Sequence, residues 1–376
     1  MSNMNFEEFK QAIVDGIKEY LPEEYADSAV RINQVTKNND IVLDAITVTS
    51  PESNVSPTIY LNDFFNQYEN GRPLEEIMTQ IAELQVAHAV NQEMDVSKIT
   101  DYEQVKDKIA ARLVGTENNK ELLSQRPHTM VDDLAVTYCV MLGEDKNGSM
   151  SVPITYALKE QYGVSVEELH QAALNNMSEL TPATFKGMNE VMAEMMLPNL
   201  INECGGDREQ AEAMLETMIP PVDSMYVLSN EQKINGAAVV LDDKLMDQVA
   251  ERVGNEFYIL PSSIHELLVI PKDTGMARED LENMVQEVNA TQVSPQERLS
   301  DHVYAYDARE HELYRADKEA ERVATKEASR ANEKIVEPKK RESVKAKLAD
   351  KQKAVDEAKK EAPVKAPIKN RTVGID

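Results

Sequence analysis

The 376-residue chain carries 40 Lys/Arg against 67 Asp/Glu, a formal net charge of −27, with 41% hydrophobic residues, 5% aromatics and no Trp. That length allows one large or two ordinary domains, and the charge disfavours a nucleic-acid or anionic-membrane partner. No stretch approaches the roughly 18 apolar residues that cross a bilayer, the Met1–Phe9 segment lacks the basic and apolar regions of a signal peptide, and Cys139 and Cys204 have no ligand-spaced neighbour, so a cytoplasmic protein with two free thiols is expected.

Phe6, Phe9, Ile13, Ile17 and Tyr20 recur at helical spacing and predict an amphipathic helix that Pro22 stops. Ala29–Thr36 and Ile41–Thr49 are rich in β-branched residues and flank Asn38-Asn39-Asp40, which predicts a hairpin. Thr58–Leu61 adds a short strand. Asn62 or Asp63 is the expected cap of a helix through Tyr68, and Pro73 opens a longer one to about Val90. Residues 100–115 fit either a charged helix or an edge strand.

Val131–Leu142 and Met150–Tyr156 predict a second hairpin around Glu144–Gly148. Ser165-Val166-Glu167-Glu168 is a capping box opening a helix through Asn175, and Thr181-Pro182 opens another that Gly205-Gly206 ends near Cys204. Met225–Leu228 and Ala237–Leu241 read as a third hairpin. Asp242 or Asp243 caps a helix ending at Gly254, the short strands Phe257–Leu260 and Leu267–Ile270 follow, and Ala277–Val288 is a further helix. Recurrent turn-linked strand pairs among helices predict an α+β fold with antiparallel or mixed sheets and helices packed on them.

The composition changes near residue 315. From Lys318 onward there are 17 Lys/Arg and 11 Asp/Glu, a net of +6, which leaves residues 1–317 with 23 basic and 56 acidic residues, a net of −33. Val323, Ile335, Val344, Leu348 and Val355 are too sparse for a coiled-coil seam. Solvated helix passing into a disordered end is expected, with Pro338 interrupting it. The expected organisation is 1–160 and 161–312 as two α+β subdomains and 313–376 as a charged tail. The tail suits an acidic protein partner, self-association with a neighbouring copy included, and only weak, salt-sensitive contact with nucleic acid.

One local constellation carries chemistry-bearing groups. Ser262, Ser263, His265 and Glu266 follow Pro261 between two apolar strands. A Ser–His pair with a carboxylate to orient the imidazole is the arrangement of a hydrolytic nucleophile. The same residues form a capping box, Ser263-x-x-Glu266, which would close one helical turn. His302 and His311 lie near Asp301, Asp307, Glu310 and Glu312 without a known metal-ligand spacing, and a solvated acidic face is the expectation. His88 reads as a satisfied helix histidine. Phe185, Met188, Met192, Met195 and Met196 form a helical stripe expected to pack in a core. No phosphate-cradling glycine pattern occurs, and neither a cofactor nor a metal is expected.

Several segments are distinctive: Val164–Leu169 with Ala172, Asn175 and Leu180–Pro182; Tyr226–Asn230 with Gly236–Ala238; Phe257–Glu266; and Val288–Val293 with Leu299–Tyr304. Through them the chain resembles an uncharacterised family of Gram-positive gut-type bacteria that is often carried on integrative mobile elements. The resemblance implies a matched body over most of residues 1–310, with the tail outside it, and no established activity. Three readings follow: a non-enzymatic cytosolic accessory or interaction protein; a hydrolase using Ser262, Ser263, His265 and Glu266; and an acidic polyanion mimic that occupies a nucleic-acid-binding protein.

Overall fold

Asn5 Oδ1 accepts the Glu8 N–H (3.0 Å) while the Glu8 carboxylate accepts the Asn5 N–H (2.9 Å). This reciprocal cap starts α1 (Phe6–Gly16) and is worth about 1 kcal/mol. In the computed structural model, residues 4–336 are described except for 50–52, 54, 90–94, 146–147 and 220–222. Phe9, Ile13 and Ile17 are fully buried and pack on a three-stranded antiparallel sheet, β1 (Ala29–Thr36), β2 (Val42–Thr49) and β3 (Ile59–Tyr60). The predicted hairpin is there, in the register Ala29↔Thr49 to Thr36↔Val42, and Asn39 and Asp40 take up left-handed backbone at its turn. Helices α2 (Asn62–Glu69) and α3 (Leu74–Ala87) complete this core through Phe64, Ile77 and Ile81. Asn62 is not a cap: it is the first helical residue, and its Oδ1 accepts the Asp44 N–H (3.0 Å), which ties the helix to β2.

The short helices α4 (Val96–Thr100) and α5 (Tyr102–Val105) lead into β4 (Ile109–Gly115), so the ambiguous stretch from 100 to 115 is helix first and edge strand second. Helix α6 (Lys120–Gln125) precedes β5 (His128–Val131), β6 (Leu134–Asp145) and β7 (Gly148–Pro153). β4 runs along one edge of the long β6, while β5 and β7 follow one another along its other edge. The loop of the β6–β7 hairpin includes Lys146 and Asn147, outside the described residues. After α7 (Tyr156–Tyr162), the Ser165–Glu168 capping box starts α8 (Val166–Leu180), a turn longer than expected. Its Leu169, Ala173 and Met177 are buried in the same core as Ile109, Ala111 and Leu113 of β4.

The third sheet has six strands in the order β13-β12-β10-β11-β9-β8, with every neighbouring pair antiparallel. They are β8 (Ala183–Gly187), β9 (Tyr226–Asn230), β10 (Glu256–Pro261), β11 (Leu267–Pro271), β12 (Tyr304–Asp307) and β13 (Glu312–Arg315). Alternation along β10 sends Phe257 and Ile259 to the large core shared with the second sheet, and Leu260 to a second core on the opposite face. Between β8 and β9 come α9 (Met188–Glu203) and α10 (Arg208–Met218), with α11 (Asp243–Val253) before β10 and α12 (Arg278–Thr291) before β12. Leu281 and Val285 of α12 cover the second core. Residues 1–318 form one compact unit and 319–376 another. In the second unit, α13 (Glu319–Val336) is described; the expected break at Pro338 and the disordered end fall outside the described residues.

Two expected elements change type. Residues 183–187 are strand rather than helix: they ladder onto β9 from Ala183↔Asn230 to Gly187↔Tyr226, and the Phe185 ring stacks on Tyr226 at 5.2 Å. Pairing outweighs the weak local helix signal. The helix starts at Met188, where Asp223 Oδ1 accepts the Asn189 N–H (2.8 Å). Residues 236–241 are a buried 3-10 turn rather than a strand. Both edges of β9 are already taken by β8 and β11, so no ladder is open to them. Ala237–Val240 instead fill the core between β4 and β9.

Gly236 makes that plug possible. A Cβ there would lie 2.4 Å from both His265 O and Ser229 Oγ. Gly236→Ala should therefore lower stability by about 1–3 kcal/mol, read as a fall in the denaturation midpoint at unchanged m-value.

Candidate functional site

The residues singled out in the sequence, Ser262 to Glu266, form the loop of the β10–β11 hairpin. The Ser262 hydroxyl donates to Glu266 Oε1 (3.1 Å), and Ser263 Oγ accepts the His265 N–H (3.0 Å). His265 Nδ1 accepts the Asn235 N–H (3.1 Å), which puts the proton of a neutral imidazole on Nε2, 3.6 Å from Glu297 Oε1. Among the described residues neither serine hydroxyl is bonded to the imidazole. Nor does the segment make the helical turn that the capping-box pattern suggests: Ser263 Oγ holds the His265 N–H rather than that of Glu266. The loop docks on β9, on the 3-10 plug and on Glu297. Ser229 donates to His265 O (2.7 Å), the Ala237 N–H to Ile264 O (3.2 Å), and the Ile264 N–H to Glu297 O (2.8 Å).

A larger concavity, about 270 Å³, opens where the β1–β2 turn, the end of β4 and the 295–302 loop meet. Asn119, fully buried, sits behind it. Its Nδ2 donates to Asn38 Oδ1 (3.0 Å), Asn39 Oδ1 (3.1 Å) and Gly115 O (2.8 Å), and its Oδ1 accepts the Asn39 N–H (2.8 Å). The side chains of Asn38 and Asn39 donate onward to the carbonyls of Pro295, Gln296 and Arg298. Asp40 accepts the N–H groups of Glu121 and Leu122 at the start of α6.

On the other wall the Tyr304 hydroxyl bonds Asp133 (2.6 Å) and Ser300 (2.9 Å). Arg315 reaches Asp133 at 3.2 Å and forms a second pair with Asp317. Burial, then the Asp133 charge, pushes the Tyr304 hydroxyl far above the phenolic range. The Arg315 hydrogen bond holds the Asp317 carboxyl below the usual aspartate range. Asp301 accepts from Asn289 (2.7 Å), and His302 Nδ1 lies 3.0 Å from Glu282 Oε1.

His302 and His311 do not share a site: His311 faces Asp243 and Asp247 of α11, each at 3.6 Å. His88 stands at the C-terminal end of α3, its N–H bonded to Leu84 O. The methionine stripe packs only in part: Phe185 lies against the large core and Met196 against Leu200, Ala211 and Leu215. Phe185 lies on β8, while Met192 and Met195 of α9 are 38% and 72% exposed.

Asn289, Leu299, Ser300, Asp301, His302 and Tyr304 at this concavity are among the residues on which the family resemblance rests. Residues 6–308 match the model of a family of unknown function, DUF5688. The chain belongs to that family. The matched span ends between β12 and its partner β13, so the concavity lies within it apart from the supporting Arg315 and Asp317. No curated protein and no solved structure matches the chain. Within this DUF5688 fold, the Asn38–Asn119, Asp133–Tyr304 and Asp133–Arg315 contacts escaped sequence reading. Asn38-Asn39-Asp40 gave a turn signal only, and contacts across roughly eighty or more residues leave no local pattern.

Asn119→Ala strips four hydrogen bonds from buried or half-buried groups and should cost about 2–4 kcal/mol in equilibrium unfolding. The Arg315–Asp317 pair sets an acid limit. Because the folded Asp317 titrates below the ~3.9 of a free aspartate, its contribution is complete above that pH and is lost as pH falls through the folded value. Asp317→Asn should therefore lower stability at pH 7 and flatten its decline below about pH 4, as a pH series of unfolding curves would show.

Proposed function

We propose that the chain is a non-enzymatic accessory protein that acts by binding a protein partner, and that the concavity at the β1–β2 turn and the 295–302 loop is the recognition surface. One observation carries this reading. The groups there that would move protons in catalysis are engaged with fixed neighbours: Asp133 with Tyr304 and Arg315, Asp301 with Asn289, His302 with Glu282. General acid–base work needs a group poised to exchange its proton with substrate. A network of this kind instead holds polar groups in a set geometry, which suits recognition. Exposed Glu117 and Asn118 and half-buried Arg298 line the opening.

The body's net charge of −33 favours a partner that is neutral or basic at large, with a carboxylate set against Arg298 that a Glu there would repel. Two unpaired thiols, one of them buried, fit a reducing cytoplasm, and the mobile-element setting implied by the resemblance suits an accessory role. No helix among the described residues is long and apolar enough to cross a membrane.

Two measurements test the proposal. Incubation with ester, peptide and phosphoester substrates should give no turnover that His265→Ala removes; such turnover would replace this reading with the hydrolase one. Affinity capture from the native cell should return a partner that survives removal of residues 318–376 and is lost with Arg298→Glu. A partner set indifferent to Arg298→Glu would overturn the assignment of the surface.

A further inference from the structure

The second sheet has two unlike faces. Ile109, Ala111 and Leu113 of β4 point into the core under α8. On the opposite face α6 covers one end, through Leu122 and Leu123 on Val114 and Ala135. The rest of that face mixes apolar residues such as Ala110, Cys139 and Met141 with polar ones. In the register, Arg112 lies opposite Thr137, and Thr137 lies opposite His128, so three adjacent strands present these side chains to one side. Arg126 is extended (φ −123°, ψ 132°) and two residues before His128, so it falls on the same side. Arg112 donates to Ser151 of β7 (2.6 Å).

Other basic side chains of the body, such as Lys10, Arg72, Lys106, Arg278 and Arg315, have a carboxylate within reach. Among the described residues, neither Arg112 nor Arg126 has a carboxylate partner, and no side chain accepts from the half-buried Arg126 guanidinium. The groups that act on the charge of Arg126 are burial, Arg112, which repels it, and the Cys139 thiol. Two like charges on one sheet face under partial burial, with no carboxylate, are stabilised by an anion that both can reach.

We propose that Arg112 and Arg126, with Thr137, His128 and Ser151 beside them, form a binding site for a phosphate group. Planar guanidinium forks match the oxygens of a phosphate in pairs. The acidic body does not prevent this. Its distant carboxylates act through solvent beyond a Debye length of about 8 Å at physiological salt, whereas the two guanidinium groups act at contact. The site is separate from the recognition surface proposed above and does not depend on it.

The test is a titration of the full chain with inorganic phosphate, and separately with glycerol 3-phosphate, at ionic strength held constant with sodium chloride. Thermal unfolding and calorimetry report binding. Saturable binding with a rise in the unfolding midpoint is expected, weakened about tenfold or more by Arg126→Gln and by Arg112→Gln. Arg126→Lys, which keeps the charge and loses the fork, should fall between. Tighter binding of glycerol 3-phosphate assigns the site to an organic phosphomonoester, and tighter binding of phosphate to the free ion; either supports the site. Far-UV circular dichroism checks that the variants are folded. The absence of saturable binding, or an equal response in folded Arg126→Gln, would overturn the proposal.

Discussion

A single buried amide holds the body together where its parts meet. Asn119 has no solvent exposure and uses both donors and its acceptor on the β1–β2 turn and on the end of β4. Through Asn38 and Asn39 the same network reaches three carbonyls of the 295–298 loop. A buried network of this kind is strong when complete and costly when broken, because each orphaned group loses its water without gaining a partner. The close approach of β4 to the 295–302 loop adds a steric condition: a Cβ on Gly115 would lie 2.4 Å from Leu299 O. The concavity exists because these segments are pinned side by side.

The same economy governs the loop that the sequence marked out. Ser262, Ser263, His265 and Glu266 are close together, yet each is committed to its own loop or to the 3-10 plug beneath it. The histidine accepts a backbone N–H from Asn235, a residue in left-handed backbone one position before Gly236. An imidazole so used fixes a junction between two loops. Chemistry-bearing residues that lie near one another in sequence acquire a role only from the partners the fold gives them.

Charge follows a different logic. The surplus of carboxylates lies mostly on exposed surface, where solvent and salt screen each of them. Two places show another arrangement: Asp133 between Tyr304 and Arg315, and the arginines of β4 and of the segment before β5, which have no carboxylate partner among the described residues. In both places the backbone register, rather than composition, decides which charges meet.

Local order was legible from the sequence. The caps at Asn62 and Asp63 failed, but the capping box at Ser165, the Asp242 cap, the hairpin turn at Asn38–Asp40, and the Phe257–Leu260 and Leu267–Ile270 strands all stand where the chain chemistry puts them. Each depends on contacts within a few residues, and the α+β class followed from their order. Residues 183–187 and 236–241 were misread because their state depends on β9, whose two edges admit β8 and exclude the second segment. The strands β5, β12 and β13 and the helix α10 are short or weakly patterned and gave no signal. By itself, then, the sequence determined the helix starts, the hairpin turns and the division between acidic body and basic tail. Only the tertiary structure decided the concavity, the commitments of His265 and the placing of Arg112 and Arg126 on one sheet face, because residues apart in the chain come together only once the sheet registers are set.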